Sequence, residues 1–228
     1  MLLNRVAQAV RAAASGAALV VLVTACVVAT DDGTDRGSAP IDAVDRRAMA
    51  ADERTAVDAT DGFWRRRFPQ LFGRPYSPPR VQGGYLGTGG PRCAGERSVP
   101  FNAVYCPAGD FVAWDDNLMG AGYQQIGDAW VYLIISHEWG HAIQVRLDRA
   151  LVSIAAELQA DCLAGATLQG AADDGIIKIE PGDTQELAQT LSAVADDFPW
   201  TKESDHGNAE QRISAFNSGA RGGVPACI

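Results

Sequence analysis

The chain has 228 residues, 47% of them hydrophobic, and a net charge of −9. That balance argues against nucleic acid as a partner, because phosphate binding needs a basic patch. It leaves the substrate of an enzyme open.

The N-terminus carries Arg5 and Arg11 and then an uncharged apolar run from Ala12 to Ala25. The run suits the core of an export signal and is short for a membrane span. It ends in Val23-Thr24-Ala25-Cys26, which resembles the lipobox of a bacterial lipoprotein. There the cysteine is acylated and becomes the new N-terminus after residues 1–25 are removed. The alternative is an ordinary secretory signal with Cys26 incidental. Both readings place the protein outside the cytosol, and a lipid on Cys26 would tether it to the outer face of a bacterial membrane. Loss of residues 1–25 removes two arginines and no acid, which deepens the charge from −9 to −11. Residues 26–53 hold Asp31, Asp32, Asp35, Asp42 and Asp45 among small residues and read as a flexible acidic tether. Residues 54–228 then suit one domain with a single core.

Val57, Phe63, Trp64 and Phe68 predict an amphipathic helix over 51–68, broken by Pro75, Pro78 and Pro79. Residues 80–116 are rich in glycine and β-formers and predict short strands, the last over 110–115. The chain's best helical pattern runs from Ile126 to Leu147. Further helices are expected over 151–168, over 184–195 with Asp183 and Glu186 as a capping box, and over 209–216. Asn208 and Gln211 suit the last helix's N-terminus, and Gly219 the residue past its end. Strands first and helices after point to an α+β domain.

The 126–147 segment contains His137-Glu138-Trp139-Gly140-His141. On a helix, positions i and i+4 share a side, so His137 and His141 can close on one ion through neutral imidazole nitrogens. Glu138 lies beside the pair and can exchange a proton with a water on a zinc ion, which lowers that water's pKa toward neutrality. A surface helix with two ordinary histidines would also fit these five residues. Against it, the surrounding helix is apolar, and two of the chain's three histidines lie here. Gly140 inside a helix costs about 1 kcal/mol relative to alanine, which predicts that something approaches that face closely.

A third ligand has to come from elsewhere. Glu157 and Asp161 share one face of the next helix, among Leu158, Leu163 and Ala164. Two acids on an inward face need a cation or hydrogen-bond partners. With Glu157 as ligand, Asp161 can accept a hydrogen bond from a ligand histidine's other nitrogen. The reverse assignment, and a surface pairing of Glu157 with Arg146 or Arg149, are the alternatives. Two histidines and one carboxylate suit Zn²⁺, one ion per chain. Of the cysteines past Cys26, Cys93 and Cys106 flank one loop and form the natural pair. Cys162 then pairs with Cys227, or stays free within its helix.

With these residues in hand, the chain resembles the bacterial neutral zinc metallopeptidases, a group of zincins named largely by their motif. Residues 63–79, the VYCP and VAWDD segments, HEWGHAIQ at 137–144, ELQADCLAG at 157–165 and DHGNAEQRISAF at 205–216 carry the likeness, in that order. The resemblance implies a zincin-like fold, a peptide or protein substrate, and Phe111–Asp115 as an edge strand that binds an extended chain. Ala113-Trp114 and Trp139 depart from the usual pattern and would alter the cleft. His206, inside the last block, is a candidate catalytic residue that hydrogen-bonds the developing oxyanion; alternatively it only fixes the loop into the next helix. Arg212 is expected in a structural ion pair.

The leading expectation is zinc-dependent hydrolysis of peptide bonds with Glu138 as general base. Two other classes share the motif: a surface lipoprotein that keeps zinc only to brace its helices, and a zinc hydrolase of non-peptide amides.

Overall fold

A computed structural model describes residues 43–202 and 205–228. The export signal, Cys26 and most of the tether lie outside the described residues. Helix α1 spans Ala43–Phe72, longer at both ends than the apolar pattern predicts. Met49 is buried in the core, so residues 43–53 belong to this helix, which corrects the tether's inner limit. Ala56, Thr60, Phe63, Trp64 and Phe68 form the buried stripe that holds α1 on the domain.

The strands are β1 (Arg80–Tyr85), β2 (Ala103–Cys106) and β3 (Phe111–Asp115). Their order is β1-β3-β2, with β1 parallel and β2 antiparallel to β3. β3 is therefore the central strand, buried along its whole length, and the expectation that it forms an edge is wrong. Val112 and Trp114 join the main core while Phe111 and Ala113 pack in a second cluster with Tyr85 and Cys106, so both faces of β3 are covered, which explains its apolar run. β1 and β2 are the edges, and β2 is the one that lies against α3. A disulfide between Cys93 and Cys106 ties the preceding loop to the end of β2, as expected.

Helix α2 (Asp116–Gln125) follows at once and has no counterpart in the sequence reading. Gly120 and Gly122 disguise it, since glycine is a poor helix former. Gly122 is required by packing, because a Cβ there would run into the Trp130 ring. Helix α3 (Ala129–Arg146) is apolar on nearly every side and occupies the centre of the core. It starts later than the periodicity suggests, after Gly127 at φ +143°.

Helix α4 (Ala156–Asp173) starts five residues later than expected, after a 3-10 turn at Arg149–Leu151. Helix α5 (Asp183–Ala193) lacks the expected capping box: its N-cap is Gly182, with no side-chain cap bond. Asp183 instead accepts from the Glu180 amide at 2.7 Å, and Glu186 reaches across to the first amide of α3, Ala129, at 3.3 Å. Helix α6 (Ala209–Gly222) does open on the Asn208–Gln211 capping box.

Gly219 is not the end of α6. It lies inside the helix because a Cβ there would collide with the Cys162 carbonyl, and Gly165 of α4 faces the Phe216 carbonyl in the same way. The two helices thus touch main chain to main chain. A Cys162–Cys227 disulfide fastens the C-terminus to α4, which settles the choice between a paired and a free Cys162. Closing that loop stabilises the fold by about 4 kcal/mol on a chain-entropy estimate. The fold is α+β, with the helices in the majority. No helix of the described residues is long and apolar enough to cross a membrane.

Candidate metal centre

α3 and α4 cross at Gly140. A Cβ on that residue would lie 2.9 Å from the Ala160 carbonyl oxygen and 3.0 Å from its Cα. The close approach that Gly140 predicts is therefore made by the α4 main chain, between Glu157 and Asp161. This crossing brings the two motifs into one site.

His137 and His141 project from α3 toward Glu157 on α4. Glu157 Oε2 lies 3.2 Å from His137 Nε2 and 3.5 Å from His141 Nε2. One nitrogen of each imidazole and one carboxylate oxygen fall within 4.8 Å of one another. The outward nitrogens are both engaged. His137 Nδ1 meets Asp161 Oδ1 at 2.8 Å, and His141 Nδ1 meets Gln144 Oε1 at 2.9 Å. With each Nδ1–H donated outward, the neutral rings would turn both Nε2 lone pairs toward Glu157, which is the arrangement a metal ligand pair needs. The donor set fits a Zn²⁺ ion.

The electrostatics point the same way. Asp161 is fully buried and receives Arg212 Nε and Nη2, each at 2.8 Å. Burial alone would raise the Asp161 carboxyl, but Arg212 and His137 hold it below the usual range. Glu157 is likewise pushed up by burial and held far lower by its hydrogen bonds to His137 and His141. Burial disfavours the His137 imidazolium, but the facing carboxylates of Asp161 and Glu157 outweigh it and raise its pKa to about 10. The site is thus built to hold positive charge between its carboxylates. The alternative surface pairing of Glu157 is not seen. Arg146 instead grips both oxygens of Asp110, at 2.8 and 2.9 Å.

Glu138 faces the edge of the sheet. Its Oε2 accepts from the Tyr105 amide of β2 at 2.7 Å. By the alternation of an antiparallel pair, Ala103 and Tyr105 turn their main-chain groups outward. A cleft of about 580 Å³ lies between β2 and α3, lined by Ala103, Tyr105, His137, Glu138, His141 and Glu157 among others. Trp139 and Trp114 are buried away from it, with Trp139 Nε1 donating to Tyr76 Oη at 2.7 Å. The two expected alterations of the cleft are thus core packing.

His206 also lines the cleft, half exposed, with Nε2 3.9 Å from Glu157 Oε2. Asp196 Oδ2 accepts its main-chain amide at 2.7 Å, and Asp196 Oδ1 lies 3.6 Å from its Nδ1. All three histidines of the chain therefore present Nε2 to one carboxylate oxygen. Sequence reasoning missed Gln144, Asp196 and the Tyr105 amide. Only the QVR stretch after HEWGH, at helical spacing from His141, held a signal for Gln144.

The family model described as "Putative neutral zinc metallopeptidase" matches residues 3–228. The chain is 30% identical over 198 residues to "Uncharacterized protein YpfJ" of Escherichia coli strain K12, covering 73% of this chain and 66% of that protein. The protein of the same name in Escherichia coli O6:H1 matches equally. The chain thus spans just under two thirds of the length of these relatives. No solved structure matches it. From the helix pair that carries the two motifs to the sequence of its last helix, the chain belongs to the neutral zinc metallopeptidase family.

Proposed function

We propose that this chain hydrolyses peptide bonds, with one Zn²⁺ held by His137, His141 and Glu157 and with Glu138 as general base. The observation that supports it most is the convergence of both Nε2 atoms on Glu157 beside Glu138, at the floor of an open cleft. A bound Zn²⁺ supplies a Lewis acid and brings the pKa of a water toward neutrality.

The protein's own groups do the rest. Tyr105 fixes Oε2 of Glu138, which leaves Oε1 to take a proton and pass it to the leaving amine. His206 Nε2 faces the same space and donates to the charge that develops on the substrate carbonyl oxygen. Asp196 holds the His206 loop in place. The outward groups of Ala103 and the Tyr105 carbonyl offer an edge to an extended peptide. A purely bracing zinc would need neither the cleft nor Glu138, and would have its fourth position closed by protein.

The site's location is part of the proposal. The two disulfides suit an oxidising compartment, in keeping with export and a lipid on Cys26. The test is cleavage of a diverse peptide library alongside metal analysis. Wild type is expected to hold near one zinc per chain and to cleave, and Glu138→Gln to keep the zinc and lose cleavage. Wild-type zinc protein that leaves the library intact overturns the peptidase reading. His206→Ala with full kcat and its zinc retained overturns the role of His206.

A further inference from the structure

The two ligand imidazoles are held by different means. His137 leans on an ionised carboxylate, itself fixed by Arg212. His141 leans on a neutral amide, Gln144, and what orients that amide lies well outside the cleft.

Gln159 of α4 has one amide terminus 2.7 Å from the Leu151 carbonyl oxygen and 2.8 Å from the Cys227 carbonyl oxygen. Main-chain carbonyls only accept, so that terminus is the NH₂ group. The other terminus is Oε1, which receives the Ser153 amide at 3.0 Å and Gln144 Nε2 at 3.2 Å. Gln144 Nε2 also donates to the Ala156 carbonyl at 2.6 Å. The atom of Gln144 that faces His141 must then be Oε1, an acceptor only. His141 Nδ1 therefore carries the proton, and in the neutral ring Nε2 keeps its lone pair toward Glu157. Flipping either amide would set like groups against each other. Both glutamines are buried, at 8% and 4% exposure, where an amide is costly unless its bonds are made.

We propose that Gln144 and Gln159 are positioning residues that fix the His141 tautomer from the main-chain carbonyl of Cys227. Cys227 is held in place by its disulfide to Cys162, three residues beyond Gln159 on α4. The Cys162–Cys227 bond thus sets how firmly His141 presents Nε2 to a metal. The effect on metal affinity rests on the zinc reading above; the tautomer itself does not.

Because the chain has only three histidines, their ring nitrogens can be assigned in ¹⁵N-histidine-labelled full chain. The tautomer is read from these nitrogens at a pH where the ring is neutral, with and without zinc, and zinc affinity by chelator competition. In wild type, His141 is expected as the Nδ1–H form with a slowly exchanging proton. Gln144→Met loses that form and weakens zinc roughly ten- to a hundredfold. Gln144→Glu still offers His141 an acceptor and is expected to keep the Nδ1–H form, at a cost in stability because its second oxygen faces the Ala156 carbonyl and Gln159 Oε1. A role confined to packing would affect both variants alike. Gln159→Met and the Cys162→Ser, Cys227→Ser pair are expected to speed exchange of the same proton and weaken zinc about three- to tenfold.

A Gln144→Met protein with the wild-type His141 signal overturns the relay. A cysteine-pair variant unchanged in both readouts overturns its anchoring at Cys227. A wild type that takes up no zinc, yet shows a tautomer dependent on Gln144, supports the relay and sinks the metal reading instead.

Discussion

Arg212 of α6 grips both oxygens of Asp161 on α4, each at 2.8 Å, and Asp161 holds His137 Nδ1. The guanidinium is 2% exposed and the carboxylate 0%. A residue of the last helix thereby orients a candidate metal ligand on the third. Truncating one partner of a buried pair leaves a bare charge in the core. Arg212→Met is expected to lose about 3–5 kcal/mol in urea unfolding, and adding Asp161→Asn to recover part of it. Losses that simply add would show that the two residues are uncoupled.

Arg146 binds Asp110, which also accepts from Tyr105 Oη at 2.9 Å. This clamp sets the β2 edge against α3. Arg146→Met should leave zinc content unchanged and lower kcat/KM roughly tenfold, a transition-state loss of about 1.4 kcal/mol. Unchanged kinetics would mean that the strand holds its place without the clamp.

Gly219 and Gly165 let α6 lie on the α4 main chain. Gly219→Ala forces a Cβ toward the Cys162 carbonyl, and overpacking of this kind costs roughly 1–3 kcal/mol. A melting temperature equal to wild type would show that α6 can shift freely.

Glu53 of α1 gives a pH signature away from the cleft. Burial, and next the nearby charge of Asp116, raise its pKa to about 7. The folded state then binds the proton more tightly than the unfolded state. Its contribution is fully present below about pH 4.5, declines as pH rises, and is lost above about pH 7. Glu53→Gln mimics the protonated form, so it should be more stable than wild type above pH 7 by about 1–2 kcal/mol, allowing for partial solvent access. Near pH 4 the two should match. A constant difference between pH 4 and pH 8 would refute the titration.

The helix of the candidate metal site was legible because such a site depends on one local period: on one helix, His137 and His141 can share an ion through their spacing of i and i+4. Gly140 and Asn208-Gln211 were legible for the same reason, since each meaning is fixed within a turn or by one unusual residue. The failures lie where a residue answers to a distant neighbour. Glu186 looks like the partner of Asp183 but serves the amide of Ala129. Gly219 looks like a terminus but makes room for Cys162. β3 is expected at an edge on the family resemblance alone, and nothing near it in sequence announces that β1 pairs on its other side. Gln144 is an ordinary helical glutamine until α4 brings Gln159 against it.

The crossing at Gly140 has one more consequence. The gap between the two ligand helices is set by peptide atoms in contact, at the residue where a side chain would have intervened. Swapping one aliphatic residue for another elsewhere in the core changes what fills the space around α3 and α4, but the main-chain contact still limits how far the span from His137 and His141 to Glu157 can close. The site takes its closest spacing from the peptide unit itself, a limit that no side chain of the surrounding core sets.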